Sequence, residues 1–197
     1  HFMENIVIDF ISKYIALTDE EISIIEEYTH FKSFPKDTVL LAEGVEAKEC
    51  FFVMKGIVRS YYLVDGEERN TDFYTENQTI TPASYITKQP SEYYLSALED
   101  SVISVGIPER NAELIQKVPK LQEMIIKMSS ELLIGNQTSL DQFRYLSPEE
   151  RYIKFLETRP DLLARIPQYH LASYLGVTPV SLSRMRKRIS KKNLPQL

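Results

Sequence analysis

Cysteine occurs once in these 197 residues, as Cys50, and tryptophan does not occur. A single cysteine excludes an internal disulfide, a four-cysteine zinc site and a four-cysteine iron–sulfur cluster. Histidine is almost as scarce: apart from the first residue there are only His30 and His170. Both read as structural, so neither a metal nor a cofactor is expected. No stretch approaches 18 uncharged apolar residues, which argues against a transmembrane helix and a membrane partner. The N-terminus lacks the basic region, apolar run and small-residue cleavage site of a secretory leader, so the expected location is the cytoplasm. His1-Phe2 ahead of Met3 reads as a cloning scar.

What is present is unevenly distributed. Residues 1–146 carry 13 basic and 24 acidic side chains, whereas residues 147–197 carry 10 and 4. An acidic body with a basic C-terminal segment suits a compact polyanion-binding module. A solvated basic terminus is the plain alternative.

Residues 4–30 have helical periodicity, with Ile6, Phe10, Tyr14 and Leu17 recurring and Thr18 to Glu21 forming a capping-box pattern before a second helix. Over residues 31–107 the pattern changes to short apolar runs, 38–42, 50–54, 57–64, 69–74, 93–97 and 102–105, separated by turn residues. Asp65-Gly66 between two such runs is a strong hairpin signal. Strands at this spacing predict a β sandwich, roll or barrel. A cupin-type enzyme would need histidine and carboxylate clusters in this region, and residues 31–107 contain no histidine. From Pro108 the period is helical again. Pro119 fits the first position of a helix, and Leu121, Ile125, Met128 and Leu132 follow at spacings of 4, 3 and 4. Such a stripe either packs on the chain's own β region or forms a two-fold contact between subunits. Gly135-Asn136 marks a candidate hinge, and Ser147-Pro148 opens another helix.

Residues 168–188 read as a helix-turn-helix. Leu171, Ala172 and Leu175 are apolar on a first helix, and Gly176 sits where the turn requires a left-handed residue. Thr178 caps a second helix that Pro179 starts. Leu182, Met185 and Ile189 face inward, leaving Pro179, Val180, Ser183, Arg184 and Lys187 outward. Arg186, Arg188, Lys191 and Lys192 complete a cationic cluster. A helix of this diameter fits the major groove of double-stranded DNA. Arg184 can reach a guanine edge or a phosphate, Thr178, Ser181 and Ser183 can bond phosphates, and Lys187 and Arg188 supply charge. An αα-hairpin with no polyanion partner is the alternative, with little use for so many cations on one helix.

A β-rich N-terminal region, a long helix and this helix-turn-helix together resemble the Crp/Fnr family of bacterial transcription regulators over nearly the whole chain. The compact C-terminal ending resembles the atypical members common in Bacteroidetes. The resemblance implies an α+β fold: a double-stranded β-helix or jelly-roll-like β-roll with flanking helices, a long dimerisation helix and a C-terminal helix-turn-helix. It implies a cyclic-nucleotide-binding-type sensor over residues 3–110, a linker and dimerisation helix over 111–140, and a DNA-binding domain over 141–197. It further implies a homodimer on a palindromic operator, a small-molecule effector in the β-roll, RNA polymerase as a further partner, and no enzymatic activity. A sensor acting through a protein partner is the alternative output, which the outward basic helix disfavours.

The departures from that family are specific. By position, its Gly-Glu pair for the ribose falls at Thr81-Pro82, and its Arg-Ser pair for the phosphate falls at Ser91-Glu92. The phosphate cation is therefore missing, and a carboxylate stands beside its place. No Arg or Lys lies between Lys88 and Arg110. The expectation is an effector region of Tyr74, Thr81, Pro82, Tyr85, Ser91, Glu92 and Tyr93 that does not bind cyclic AMP in the family's way. Its tyrosines, with Tyr94, either line a pocket or fill the interior. On the recognition helix, Pro179 and Val180 replace charged base-reading residues and Arg184 is the surviving match.

Overall fold

The computed structural model describes the backbone of residues 2–192 and the side chains of 6–192. Helices α1 (Phe2–Ser12) and α2 (Asp19–Tyr28) precede the strands. The second begins where the sequence indicates: Thr18 Oγ1 accepts from the Glu21 amide, and the Glu21 carboxylate accepts from the Thr18 amide. Lys120 closes on the same carboxylate at 2.9 Å and, as the leading cause, holds the Glu21 carboxyl below its ordinary range.

Eight strands follow: β1 (Phe31–Phe34), β2 (Val39–Leu41), β3 (Cys50–Lys55), β4 (Val58–Val64), β5 (Glu67–Tyr74), β6 (Thr79–Ile80), β7 (Tyr94–Ala97) and β8 (Ser101–Gly106). They form two four-stranded sheets, ordered β1-β8-β3-β6 and β2-β7-β4-β5. The short helix α3 (Ala83–Thr87) interrupts them. Asp65 and Gly66 both adopt positive φ, 53° and 78°, at the tip of the β4–β5 hairpin, so the turn twists with the strands. Between the sheets Leu41, Phe51, Val53, Val58, Leu95 and Ile103 pack with neighbouring apolar side chains into the principal core of the roll. Strands β1 and β6 and helix α3 carry no clear signal in the sequence. Strand β1 is four residues long with three exposed, so it shows no buried alternation.

Helices α4 (Pro108–Lys117), α5 (Leu121–Tyr145), α6 (Pro148–Thr158), α7 (Pro160–Leu163), α8 (Gln168–Leu175) and α9 (Pro179–Lys192) complete the chain. One sequence expectation is corrected here. Pro119 does not start a helix: it lies in a turn in which the Leu121 amide donates to Val118 O and the Gln122 amide to Pro119 O, and α5 begins at Leu121. The candidate hinge Gly135-Asn136 lies within α5, which is helical over 25 residues, and just after the division between the two compact units at residues 133 and 134. A single glycine costs only about 1 kcal/mol in a helix interior. Ser147 and Glu150 form the capping box that opens α6.

The chain divides into two compact units, one of residues 1–61 and 72–133, the other of residues 62–71 and 134–197. The second is built on Tyr152, Phe155, Leu162, Leu171, Leu175 and Leu182, all buried. Residues from the β4–β5 hairpin tie into it. The Asn70 amide donates to Ser173 Oγ at 2.9 Å, Ser173 Oγ donates to Glu68 O, and Asn70 Nδ2 donates to His170 O at 3.0 Å. Asn70 Nδ2 also lies 3.0 Å from His170 Nδ1. His170 is thus buried and structural rather than a ligand.

Candidate functional site

Helices α8 and α9 are joined by a turn in which backbone geometry fixes the side chains that follow. Gly176 has φ +72°, with its amide on Ser173 O and the Val177 amide on Ala172 O at 3.0 Å. This 6→1 bond closes α8, and a residue without Cβ takes the left-handed position at no steric cost. Thr178 Oγ1 then accepts from the Ser181 amide at 3.1 Å and capped α9 starts at Pro179. Leu182 and Met185 are buried against Leu171, Ala172 and Leu175, and Ile189 is half-buried.

With those residues turned inward, the helical period puts Val180, Arg184, Lys187 and Lys191 along the opposite face at spacings of 4, 3 and 4, all exposed. None of the three cations carries an ion pair among the described residues. The five other expected DNA contacts are placed differently. Ser183 is half-buried and, with Gln168, Arg186, Lys187, Ser190 and Lys191, lines a shallow basic groove of about 420 Å³. Thr178 and Ser181 are exposed, but their hydroxyls bond each other at 3.0 Å in the cap. Arg188 lies on the flank and pairs with Glu149 at 3.0 Å. Pro179 is exposed at the helix start. Gln168 and Ser190 join the groove only through the fold; no local pattern marks them.

The seven expected effector residues are not gathered around one space. Tyr74, Tyr85 and Tyr93 pack as partly buried rings against the apolar core of the roll, and Tyr85 also borders a cavity. Ser91 is buried: its hydroxyl donates to Tyr93 O at 2.7 Å and its backbone bonds Gly44 and Val45. Glu92 is exposed and Pro82 buried. The Tyr93 hydroxyl accepts from the Ala83 amide at 3.0 Å, at the start of α3, and so occupies the first donor an anion would seek there. Only Thr81 and Tyr85 border a cavity, of about 410 Å³, and it lies on the other face of the β1-β8-β3-β6 sheet. Strand alternation is the reason: Ile80 points into the roll, so Thr79 and Thr81 point away.

The apolar stripe of α5 is also divided by the structure. Leu121 is buried with Ile11, Ile25 and Val118, and Met128 is half-buried beside the same body. Ile125 and Leu132 are exposed at 37% and 50%. A second series, Ile126, Leu133 and Leu140, recurs every seven residues and is more exposed still, at 59%, 70% and 51%, with Phe143 one turn on at 61%. The sequence reading missed this face because both sides of α5 are apolar.

The cyclic nucleotide-binding domain family matches residues 31–117. Among curated relatives, the fumarate and nitrate reduction regulatory protein of Vibrio cholerae is 25% identical over 175 residues, covering 83% of this chain and 70% of that one. Among solved structures, a CooA variant from Carboxydothermus hydrogenoformans has a TM-score of 0.70 at 15% identity, covering 92% of this chain and 83% of the other. The Thermus thermophilus catabolite activator protein has a TM-score of 0.56 at 18% identity, covering 93% and 89%. The α+β fold expected from the sequence, with β-roll, long helix and C-terminal helices, is the fold shared with these structures.

Proposed function

Because the chain is a DNA-binding transcription regulator of the Crp/Fnr type and not an enzyme, we propose that α9 is its recognition helix and enters the major groove of an operator. The observation that carries this is the exposed row Val180, Arg184, Lys187 and Lys191 opposite the buried Leu182 and Met185. Arg184 reads a base edge, Val180 touches a thymine methyl, and Lys187 and Lys191 hold phosphates. Residues 3–110 are the sensor domain, 111–140 the linker and dimerisation helix, and 141–197 the DNA-binding domain. The protein acts as a homodimer in the cytoplasm, and its output on double-stranded DNA makes RNA polymerase the further partner.

The dimer contact on α5 is formed by the seven-residue series Ile126, Leu133 and Leu140 together with Ile125 and Leu132. Their exposure in a single chain supports this, since a stripe left open to water is what a partner helix would cover. Cyclic AMP does not bind tightly at Thr81-Pro82 and Ser91-Glu92. The Ser91 hydroxyl and the first amide of α3 already have partners, and neither pair contains an Arg or Lys. Loss of two charge-assisted contacts at about 1.5–3 kcal/mol each weakens a nucleotide by roughly two to four powers of ten.

Fluorescence anisotropy with promoter DNA fragments at two salt concentrations tests the DNA reading. Sequence-dependent affinity that falls steeply with salt supports it, whereas no DNA binding at low salt refutes it. Titration calorimetry with cyclic AMP tests the effector claim, and a low-micromolar dissociation constant refutes it.

A further inference from the structure

The cavity of about 410 Å³ shares Ile125 and Leu132 with the proposed dimer contact, and the regulator reading gives its interior no role. It sits on the face of the β1-β8-β3-β6 sheet turned away from the roll core. Val53, Ile80, Ile103 and Val105 point into that core, so Cys50, Phe52, Thr79, Thr81, Ser104 and Gly106 point to the cavity side, and Phe51 borders both. Helix α1 covers it with Val7, Phe10 and Ile11, the Phe10 ring lying 4.9 Å from that of Phe52. Leu114 and Ile115 of α4 and Leu121, Met124, Ile125, Met128 and Leu132 of α5 form the remaining apolar wall.

The chemistry of the lining restricts its occupant. No Asp, Glu, Lys or Arg borders the cavity. A phosphate or carboxylate entering it would have no counter-ion, which is strongly unfavourable. The polar groups are neutral: the hydroxyls of Thr79, Thr81 and Ser104 on the sheet, and the Asn111 carboxamide of α4. Asn111 Nδ2 donates to Cys50 Sγ at 3.6 Å. A Cβ on Gly106 would stand 2.7 Å from that sulfur and 3.0 Å from that nitrogen, so the bare backbone makes room for the pair. Burial, the leading cause in each case, pushes the Cys50 thiol and the Tyr85 hydroxyl up from their ordinary values, and the wall stays uncharged. The volume falls within the roughly 300–1,000 Å³ of small-molecule sites, and two methionines give a wall that adapts to shape.

We infer that this cavity is a binding site for an uncharged small molecule with an aliphatic or aromatic body and a single hydroxyl or carbonyl group. The body lies against α1, α4 and α5, and the polar group meets Thr79, Thr81, Ser104 or Asn111. Of the seven residues expected around an effector, the site shares Thr81 and Tyr85. Helix α5 walls the cavity and also carries the exposed apolar series.

The test uses the full chain and N-phenyl-1-naphthylamine, an uncharged apolar fluorophore, with 1-decanol, decanoate and cyclic AMP as competitors. Saturable binding at one site per chain is expected. Decanol should displace the dye at least about 10-fold more effectively than decanoate, because the anion is left unpaired, and cyclic AMP should not displace it. Cys50, the chain's only cysteine, gives a second reading: its modification by N-ethylmaleimide should slow with decanol and not with decanoate. Thr81 is exposed at the rim, so Thr81→Asp should keep the melting temperature and weaken the dye at least about 10-fold, while Thr81→Asn keeps it bound. If Thr81→Asp melts early, Ser129→Trp, at an exposed lining position on α5, fills the space instead and should abolish binding. Non-saturable dye uptake, equal displacement by decanoate, or unchanged dye binding in the variant that keeps its fold overturns the inference. DNA plays no part in these measurements, so their failure leaves the operator reading intact and the converse also holds.

Discussion

The β-roll and helix α9 treat their polar side chains in opposite ways. In the roll, Ser91 donates to Tyr93 O, Tyr93 receives the Ala83 amide, and Ser84 bonds the Ala47 amide and Gln89 O. These three side chains are committed to the fold. On α9 the polar groups that are committed belong to the cap, Thr178 and Ser181, and to the flank, Arg188, while Arg184, Lys187 and Lys191 face outward with no ion pair among the described residues. A buried donor without a partner costs about 1–3 kcal/mol, so satisfied interiors favour stability, whereas a surface meant for phosphates keeps its cations available.

Four experiments press on that contrast. Leu95→Ala, at a fully buried position of the roll, should lower stability by about 2–5 kcal/mol in urea unfolding. A loss under about 1 kcal/mol would mean that the interior is looser than its contacts suggest. Next in size is Leu133→Glu on the exposed series of α5. The fold should survive, since this side chain is 70% exposed, but light scattering should show a shift from dimer to monomer. If Met128→Glu, beside the chain's own body, breaks the dimer while Leu133→Glu does not, the contact lies on the other face.

Arg184→Ala should cost about 1–3 kcal/mol on the operator and relax the preference at one base pair, read by competition among operator variants. The smallest effect belongs to Lys191→Ala, which should weaken all sequences alike and reduce the salt slope by about one. Equal loss of specificity from both would erase the division between reading and holding.

The helix-turn-helix was legible because every constraint on it is local. A glycine at the turn, a threonine cap, a proline at the first position and a buried leucine series all fall within 22 residues, and the structure satisfies each. The hairpin at Asp65-Gly66 was legible for the same reason. What the sequence withheld depends on distant neighbours. Leu121, Ile125, Met128 and Leu132 have the spacing of a subunit seam, yet Leu121 packs on Ile11 and Ile25. Ile126, Leu133 and Leu140 have an equally good period and remain in water. Periodicity says that a helix has an apolar side and is silent on which side meets its own chain. The cavity behind β3 was equally hidden, because it is assembled from strands and helices separated by up to 125 positions, from Val7 to Leu132.

The hydrogen bonds that tie Asn70 to His170 and Ser173 also set a schedule. Their partners are 100 and 103 residues apart. At a synthesis rate of about 5–20 residues per second, the hairpin tip leaves the ribosome roughly 5–20 s before the helix it joins. During that interval the Asn70 carboxamide has only water or transient partners on that side, and the unit that carries α9 cannot close until residues 170 and 173 have been made. A message truncated before residue 168 would thus leave behind a roll whose hairpin tip lacks its docking helix, and such a product is expected to be the first cleared by proteolysis.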